Sequence, residues 1–254
     1  MLRPLSVGEI LDTSFTLYRR HFGPLVTVSL VCTGLPLLLR LFTEAAGGMM
    51  ANLPLALVYL LSMVVLSLVA TGATVFIVSE SYLGRPLTAR DALNRATPYL
   101  GRILVSSMLI AFIVGLGLVF LVIPGIILGS GLAVAIPAVV LESDRSASAA
   151  LSRSWELTRG SRWRIFALGL TLLILLYIPL VAITSILAVM LPRSAGSLSA
   201  ATSMSAVMAL AVGGVVQLIL YPLFYCVLTI AYYDLRVRKE GFDLELLASS
   251  LQQA

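Results

Sequence analysis

Long apolar stretches without charge alternate along the chain with short segments that carry nearly all of the charged residues. A helix needs about 20 residues, at about 1.5 Å per residue, to cross the roughly 30 Å hydrocarbon core of a bilayer. Five stretches are long enough: residues 22–41, 53–79, 103–141, 165–191 and 205–233. The third could hold two helices, and its Pro124-Gly125 pair predicts a tight turn between them. The pattern therefore predicts six transmembrane helices.

The composition excludes an ordinary soluble domain. Hydrophobic residues make up 59% of the chain, charged residues only 11%, and the mean hydropathy is +1.04, whereas soluble domains contain about 25% charged residues. The net charge of +5 and the isoelectric point near 9.5 indicate an anionic partner. Because the arginines flank apolar runs rather than forming basic stripes, we expect anionic lipid head groups as that partner and no nucleic acid.

The basic residues fall on one side of the predicted spans. All but two of the 17 Lys and Arg residues lie in residues 1–22, 84–102, 143–164 and 235–254. The exceptions are Arg40 and Arg193. The positive-inside rule then predicts that both termini are cytoplasmic and that the loops at residues 43–52 and 192–204 face outward.

A polar stretch with apolar residues on one helical face precedes each predicted pair of spans, at residues 6–20, 88–100 and 146–159. Ser6 with Glu9, and Thr88 with Asp91, have the spacing of a capping box. In the third stretch either Asp144 or Ser146 could cap. We predict that all three are amphipathic helices lying in the inner interface with their apolar faces toward the lipid.

The predicted fold is therefore all-α, with six spans in three hairpins, each preceded by an amphipathic helix. The three units are residues 5–84, 86–143 and 145–240, a quasi-threefold repeat within one membrane domain, and residues 241–254 form a short cytoplasmic tail.

An acid ends each even-numbered span at its predicted cytoplasmic border: Glu80, Glu142 and Asp234. The structural interpretation is that each carboxylate caps the next helix or pairs with an arginine. The functional alternative is a ring of three acids that binds ions or protons at the mouth of a cavity.

Basic and aromatic residues at the inner border are the candidate lipid or structural contacts: Arg19, Arg20, Arg102, Arg162, Trp163 and Arg164. They form either a generic interfacial belt or a specific phospholipid site. Inside the last span, Gln217, Tyr221 and Tyr225 follow one another at helical spacing. They either hydrogen-bond to neighbouring helices or line a polar cavity.

No catalytic, cofactor or metal site is predicted. The one histidine, His21, lies where the first amphipathic stretch meets the first span, and an interfacial role suits it better than that of a general base. Cys32 and Cys226 are isolated in apolar stretches. Gly129-Ser-Gly131 and Tyr233-Asp234 each lack the second residue that an intramembrane protease requires, so we expect no enzyme.

Four stretches carry a family resemblance: LSVGEILD at residues 5–12, IPGIIL at 123–128, AALSRSWELTRG at 149–160 and YYDLRVRKEGFD at 232–243. In their order they resemble the membrane domain of membrane-bound glycerophosphoryl diester phosphodiesterases, and related stand-alone six-span bacterial membrane proteins of unknown function. The resemblance implies a bacterial cytoplasmic (inner) membrane. It also implies that catalysis in the full-length enzymes belongs to a separate soluble barrel, which we expect to be absent here.

Two functional hypotheses follow. The first is a non-catalytic membrane domain that scaffolds a protein partner or homo-oligomer, or that holds inner-leaflet lipid. The alternative is a small transporter or lipid-translocating protein, which needs a polar path through the bundle.

Overall fold

Helices account for almost the whole chain. A computed structural model describes residues 3–46, 48–142, 146–190 and 200–244; 88% of the residues are helical, and these ranges contain no strand. The helices are α1 (Val7–Arg20), α2 (Phe22–Ala45), α3 (Leu53–Tyr82), α4 (Ala89–Ala96), α5 (Leu100–Phe120), α6 (Val122–Leu132), α7 (Ala135–Leu141), α8 (Ala147–Thr158), α9 (Arg162–Met190) and α10 (Ala200–Glu240). The candidate cap Asp144, the outer-loop residues 192–199 with Arg193, and tail residues 245–254 lie outside the described residues.

Six helical segments in the described ranges are long and apolar enough to cross a membrane, which confirms the predicted number of spans. They are Phe22–Glu44, Leu53–Tyr82, Ala89–Phe120, Val122–Leu141, Arg162–Ile183 and Leu210–Glu240. The third begins with α4, which continues through a short 3-10 turn, Thr97–Tyr99, into α5. The fourth consists of α6 and α7.

The turn within residues 103–141 was predicted at the wrong place. The helix is interrupted at Leu121, whose backbone is extended (φ −162°, ψ 140°), and Pro124 lies in the first turn of α6. A proline is tolerated there because the first amides of a helix have no intrahelical acceptor. Gly117 and Gly125 then bring α5 and α6 together: a Cβ on Gly117 would lie 3.0 Å from the Cα of Gly125.

A second interruption separates α6 from α7, and α8 forms hydrogen bonds to the backbone at this point. Pro137, in the first turn of α7, has no amide to continue the helix. The Gly131 carbonyl, just before the break, accepts hydrogen bonds from the hydroxyls of Ser154 (2.9 Å) and Thr158 (3.0 Å). The ring of Trp155 occupies the space that a Cβ on Gly131 would need.

The longest helices extend past the hydrocarbon layer. With its 41 residues α10 is about 61 Å long, and the 30 residues of α3 reach about 45 Å, against a core of roughly 30 Å. Their carboxyl-terminal parts, together with α7, carry many of the fully buried residues, such as Ile77, Ile230 and Tyr232. We call this part of the molecule, which also holds Glu80, Glu142 and Asp234, the charged end.

The three short helices surround the charged end. α4 packs against α3, α8 packs against α6 and α7, and α1 packs against α10. Their buried apolar residues, including Ile10, Ala96 and Leu157, contact the protein and not the lipid. This corrects the prediction that these apolar faces lie on the bilayer, because the projecting ends of the long helices supply an apolar surface of protein.

The close approach of α5 and α6 predicts opposite effects for two glycine substitutions. Gly125→Ala should destabilise the protein by about 1–3 kcal/mol, because its Cβ would lie 2.8 Å from the backbone nitrogen of Leu118. Gly115→Ala, in the same hairpin, meets no atom within 4 Å and should stabilise α5 by about 0.5–1 kcal/mol. Thermal unfolding in detergent measures both, and equal midpoints would contradict the packing.

Candidate functional site at the charged end

Asp234 joins three helices from a buried position. Only 2% of the residue is exposed. Its carboxylate accepts hydrogen bonds from the Leu5 amide before α1 (2.6 Å) and from Arg164 at the start of α9 (2.7 Å). Arg238, one turn further along α10, pairs with the same carboxylate at 3.0 Å. Both arginines also donate to the Leu5 carbonyl, so the amino-terminal segment is fixed to α9 and α10.

Glu142 anchors a second network between α7, α8 and α10. Its carboxylate accepts hydrogen bonds from the Tyr232 hydroxyl (2.7 Å) and from Arg153 of α8 (3.0 Å). Arg153 also pairs with Glu240. Burial alone would lower the pKa of Arg153, but the hydrogen bonds to Glu240 and Glu142 raise it above its ordinary value, so this guanidinium stays charged.

Glu80 makes the most exposed of the three arrangements. It pairs with Arg85 at 3.0 Å and with Arg95 of α4 at 3.4 Å, and the side chains of these arginines are 69% and 53% exposed. Each of the three acids therefore faces at least one arginine. This pairing favours the structural interpretation over that of ion ligands, and within the described ranges no group of three or more His, Cys, Asp or Glu could hold a metal ion.

The helix starts at this end are capped by local hydrogen bonds. Ser6 and Glu9 form a complete capping box, and Arg3 donates to the Glu9 carboxylate at 2.6 Å. The backbone amide of Ser6 and the Arg3 guanidinium lower the pKa of Glu9 to about 2. Thr88 caps α4, and Ser146, one of the two candidates, accepts from the Ala149 amide at the start of α8.

A repeated sequence pattern was missed in the sequence analysis. Residues 3–9 read Arg-Pro-Leu-Ser-Val-Gly-Glu, and residues 85–91 read Arg-Pro-Leu-Thr-Ala-Arg-Asp. In both segments an arginine, a proline and a leucine precede a capped helix. Each of these helices lies next to a helix end that carries an acid, Asp234 for α1 and Glu80 for α4. The pattern could have identified the Leu5 segment as part of the site, whereas no local signal connects it with Asp234.

The basic and aromatic candidates separate into different environments. Arg164 points into the Asp234 network, so it is a structural contact. Arg19 and Arg102 lie over the rings of Phe15 and Tyr99, at 5.9 and 5.2 Å from the ring centroids, while Arg20 is exposed. His21 joins α1 to α2, and burial, followed by the charge of Arg20, lowers its pKa below the ordinary value.

Arg162 and Trp163 border a groove of about 270 Å³ between α6 and the start of α9. Gly160, in the left-handed region at φ +84°, makes the turn from α8 that forms one wall. The Arg162 guanidinium stacks on the ring of Trp155, 3.6 Å from its centroid, and its buried Nε has no hydrogen-bond partner. Trp163 is 73% exposed. We call this space the α6–α9 groove.

The three polar residues of the last span do not form one surface. Gln217 is exposed and lines a separate cavity toward α2 and α9. The hydroxyl of Tyr221 instead hydrogen-bonds to that of Thr71 in α3 (2.6 Å), and the Tyr225 ring packs on Tyr221 with 5.1 Å between centroids. Of the three, only Gln217 borders the cavity.

Apolar helices of membrane-spanning length and a charged end closed by buried ion pairs define a polytopic, all-helical membrane protein. The family described as the membrane domain of glycerophosphoryl diester phosphodiesterase matches residues 99–249. Because this match covers more than half of the chain, the protein belongs to that family. No curated protein and no solved structure matches the chain.

The family match confirms the resemblance drawn from the sequence. Three of the four stretches lie inside the matched range, at residues 123–128, 149–160 and 232–243. The fourth, at residues 5–12, lies outside it. In the structure this segment is nevertheless part of the charged end, because the Leu5 backbone amide donates a hydrogen bond to Asp234, which lies in the stretch at residues 232–243.

Two acid-to-amide substitutions should separate the buried network from the exposed one. Asp234→Asn should destabilise the protein by about 3 kcal/mol, toward the low end for breaking a buried ion pair because both arginines are partly exposed. Glu80→Gln should change stability by at most about 1 kcal/mol, since its partners are solvated. Unfolding in detergent at neutral pH measures both, and equal losses would show that Asp234 is not the main junction.

Proposed function

We propose that the chain is a non-catalytic domain of a bacterial cytoplasmic membrane that holds an anionic phospholipid of the inner leaflet in the α6–α9 groove and serves as a scaffold around it. The observation that carries the proposal is the Arg162 guanidinium, which is stacked on Trp155 and has a buried Nε without a hydrogen-bond partner. Because Arg162 borders the groove, a phosphate oxygen bound there is a suitable acceptor for the other donors of its guanidinium.

The start of α9 adds further donors to the same groove. The first amides of a helix have no intrahelical acceptors and carry the positive end of the helix dipole. Gly160, Arg162 and Trp163 place this helix start on the wall of the groove, while Ile126 and Phe166 supply apolar walls for the glycerol and acyl parts of a lipid. Trp163, largely exposed, is suited to the interfacial layer.

The orientation that this proposal requires is supported by the distribution of charge. The basic residues of α4, α8 and the carboxyl-terminal part of α10 all lie at the charged end of the bundle. The positive-inside rule makes this the cytoplasmic side. Arg40, near the end of α2, is the one described cation at the opposite ends of the spans.

A threefold plan is part of the same proposal. Each unit consists of a short helix, a span, an outer connection and a second span. α4 packs on α3, α8 packs on α7 and α1 packs on α10. The first two contacts join neighbouring units and the third joins the last unit to the first. Their similarity supports the threefold plan. The matching residues 3–9 and 85–91 support a common origin for the first two units.

The packed charged end favours this function over transport. A transported molecule would have to pass the layer in which Ile77, Ile230 and Tyr232 are fully buried. That layer is closed by hydrogen bonds, including one between the hydroxyls of Ser79 and Tyr233 (2.6 Å). The acids of this layer are engaged by arginines, which leaves them poorly placed for proton or ion relay.

Arg162→Gln should lower the affinity for phosphatidylglycerol by at least about tenfold, because a hydrogen bond between two charged groups contributes roughly 1.5–3 kcal/mol. Native mass spectrometry of the purified chain with added phosphatidylglycerol measures this. Arg90→Gln, which removes the same charge from an exposed position on α4, is the matched control and should leave the affinity unchanged.

The proposal predicts a further distinction between lipids. Phosphatidylglycerol should bind in preference to phosphatidylcholine of the same acyl composition, because the groove supplies cationic and amide donors for a net negative head group. If Arg162→Gln and Arg90→Gln weaken binding to the same extent, the attraction is a general surface charge effect and the groove is not a lipid site.

A further inference from the structure

A second cavity, of about 670 Å³, opens between α2, α3, α9 and α10 in the half of the bundle opposite to the charged end. We call it the outer cavity. Its size falls within the range of about 300–1,000 Å³ that is typical of small-molecule sites. α10 packs against α2, α3 and α9, and so forms the wall that the other three helices share. Gly214 allows this approach, because a Cβ there would collide with the side chain of Leu37.

Opposite charges line the outer end of this cavity. Arg40 and Glu44 are one turn apart on α2 and both border it. The Nε of Arg40 is buried and has no hydrogen-bond partner. An unpaired guanidinium donor in the outer part of a membrane span is costly unless an acceptor is supplied. Because Arg40 borders the cavity, its guanidinium can donate to a phosphate bound there, and Glu44, one turn away, supplies a carboxylate for an amine.

The other residues that line the cavity are mainly apolar. Leu37, Leu180, Val181 and Leu218 contribute aliphatic surface, and Gln217 adds one amide. Along α2 the lining runs from Thr33 to Glu44, so the cavity extends over about 16 Å of this helix. A polar, doubly charged outer end above an apolar interior matches a molecule with a zwitterionic head and an acyl chain.

We propose that the outer cavity binds an amphiphile that carries a phosphate and a primary amine on its head group and an acyl chain behind it, with the phosphate on Arg40, the amine near Glu44 and the chain between α2, α9 and α10. This site is separate from the α6–α9 groove. It differs from that groove in its helices, in the half of the membrane it occupies and in the charge of the head group it selects.

The test uses lysophosphatidylethanolamine with the purified full-length chain, and native mass spectrometry counts the bound molecules. Lysophosphatidylglycerol of the same chain length keeps the phosphate but lacks the amine. The unmodified protein should bind one lysophosphatidylethanolamine and prefer it to lysophosphatidylglycerol. Arg40→Gln should weaken both by about tenfold, the effect of losing one charge-assisted contact. Glu44→Gln should abolish only the preference for the amine.

A volume substitution tests the position of the acyl chain without changing a charge. Val181 is 57% exposed and borders the cavity, so Val181→Trp should fill the space without disturbing buried packing, and binding should fall by about tenfold or more. Val65, 50% exposed on α3 and outside the cavity, provides the matched control. Val65→Trp should bind as well as the unmodified protein. Circular dichroism and gel filtration verify that each variant is folded.

Three results would overturn the proposal. Equal binding to the Val181→Trp and Val65→Trp variants would mean that the lipid only coats the surface. Equal affinity for the two lysolipids in the unmodified protein would remove the role of Glu44. Competition by free phosphoethanolamine as strong as that by the lysolipid would mean that the site takes a soluble phosphate compound. Arg162→Gln should leave lysolipid binding unchanged. The experiments therefore test the outer cavity and the α6–α9 groove independently, and either proposal can be refuted without the other.

Discussion

The high cost of placing a charge in hydrocarbon determines the arrangement of this protein. Apart from Arg40 and Glu44, the described carboxylates and guanidiniums are concentrated toward one end of the bundle, where several of them form ion pairs between helices far apart in sequence. Asp234 is the clearest case: a buried carboxylate receives Arg164, Arg238 and the Leu5 amide, and so ties α1, α9 and α10 together. The core of the protein therefore lies where α3, α7 and α10 meet the short helices, while the opposite half remains open enough to contain a cavity.

The features of this fold that depend only on the spacing of residues along the chain could be predicted from the sequence. The number of spans follows from the lengths of apolar runs, and the capping box of Ser6 with Glu9 follows from spacing alone. Thr88 caps α4 as predicted, but the Asp91 carboxylate accepts from the Thr88 hydroxyl and the box is not complete. The turn between the third and fourth spans was misplaced by a few residues, because Pro124 suits the first turn of a helix as well as a loop and Leu121 has no turn signature. The apolar faces of α1, α4 and α8 were assigned to lipid because the sequence does not reveal that neighbouring spans project beyond the bilayer.

The positions of the site residues could be predicted from the sequence, but their hydrogen-bond and ion-pair partners could not. Glu80, Glu142 and Asp234 were identified by their places at the ends of spans, yet no sequence pattern joins Asp234 to Leu5 or Arg164. Gln217, Tyr221 and Tyr225 share one helical spacing, but α3 engages Tyr221 through Thr71 and leaves Gln217 facing the cavity. Arg162 of the α6–α9 groove stacks on Trp155, and no sequence pattern joins these two residues.

The proposed function requires that the charged end, with its three short helices, lies on the cytoplasmic side of the membrane. Single cysteines at Asn94 of α4, Ser152 of α8 and Met50 between α2 and α3 are all at exposed positions, whereas the native Cys32 and Cys226 are buried. Labelling with a membrane-impermeant maleimide should modify Met50→Cys in intact cells, and Asn94→Cys and Ser152→Cys only after the membrane is permeabilised. Labelling of Asn94→Cys and Ser152→Cys from opposite sides, or of either together with Met50→Cys in intact cells, would contradict the account.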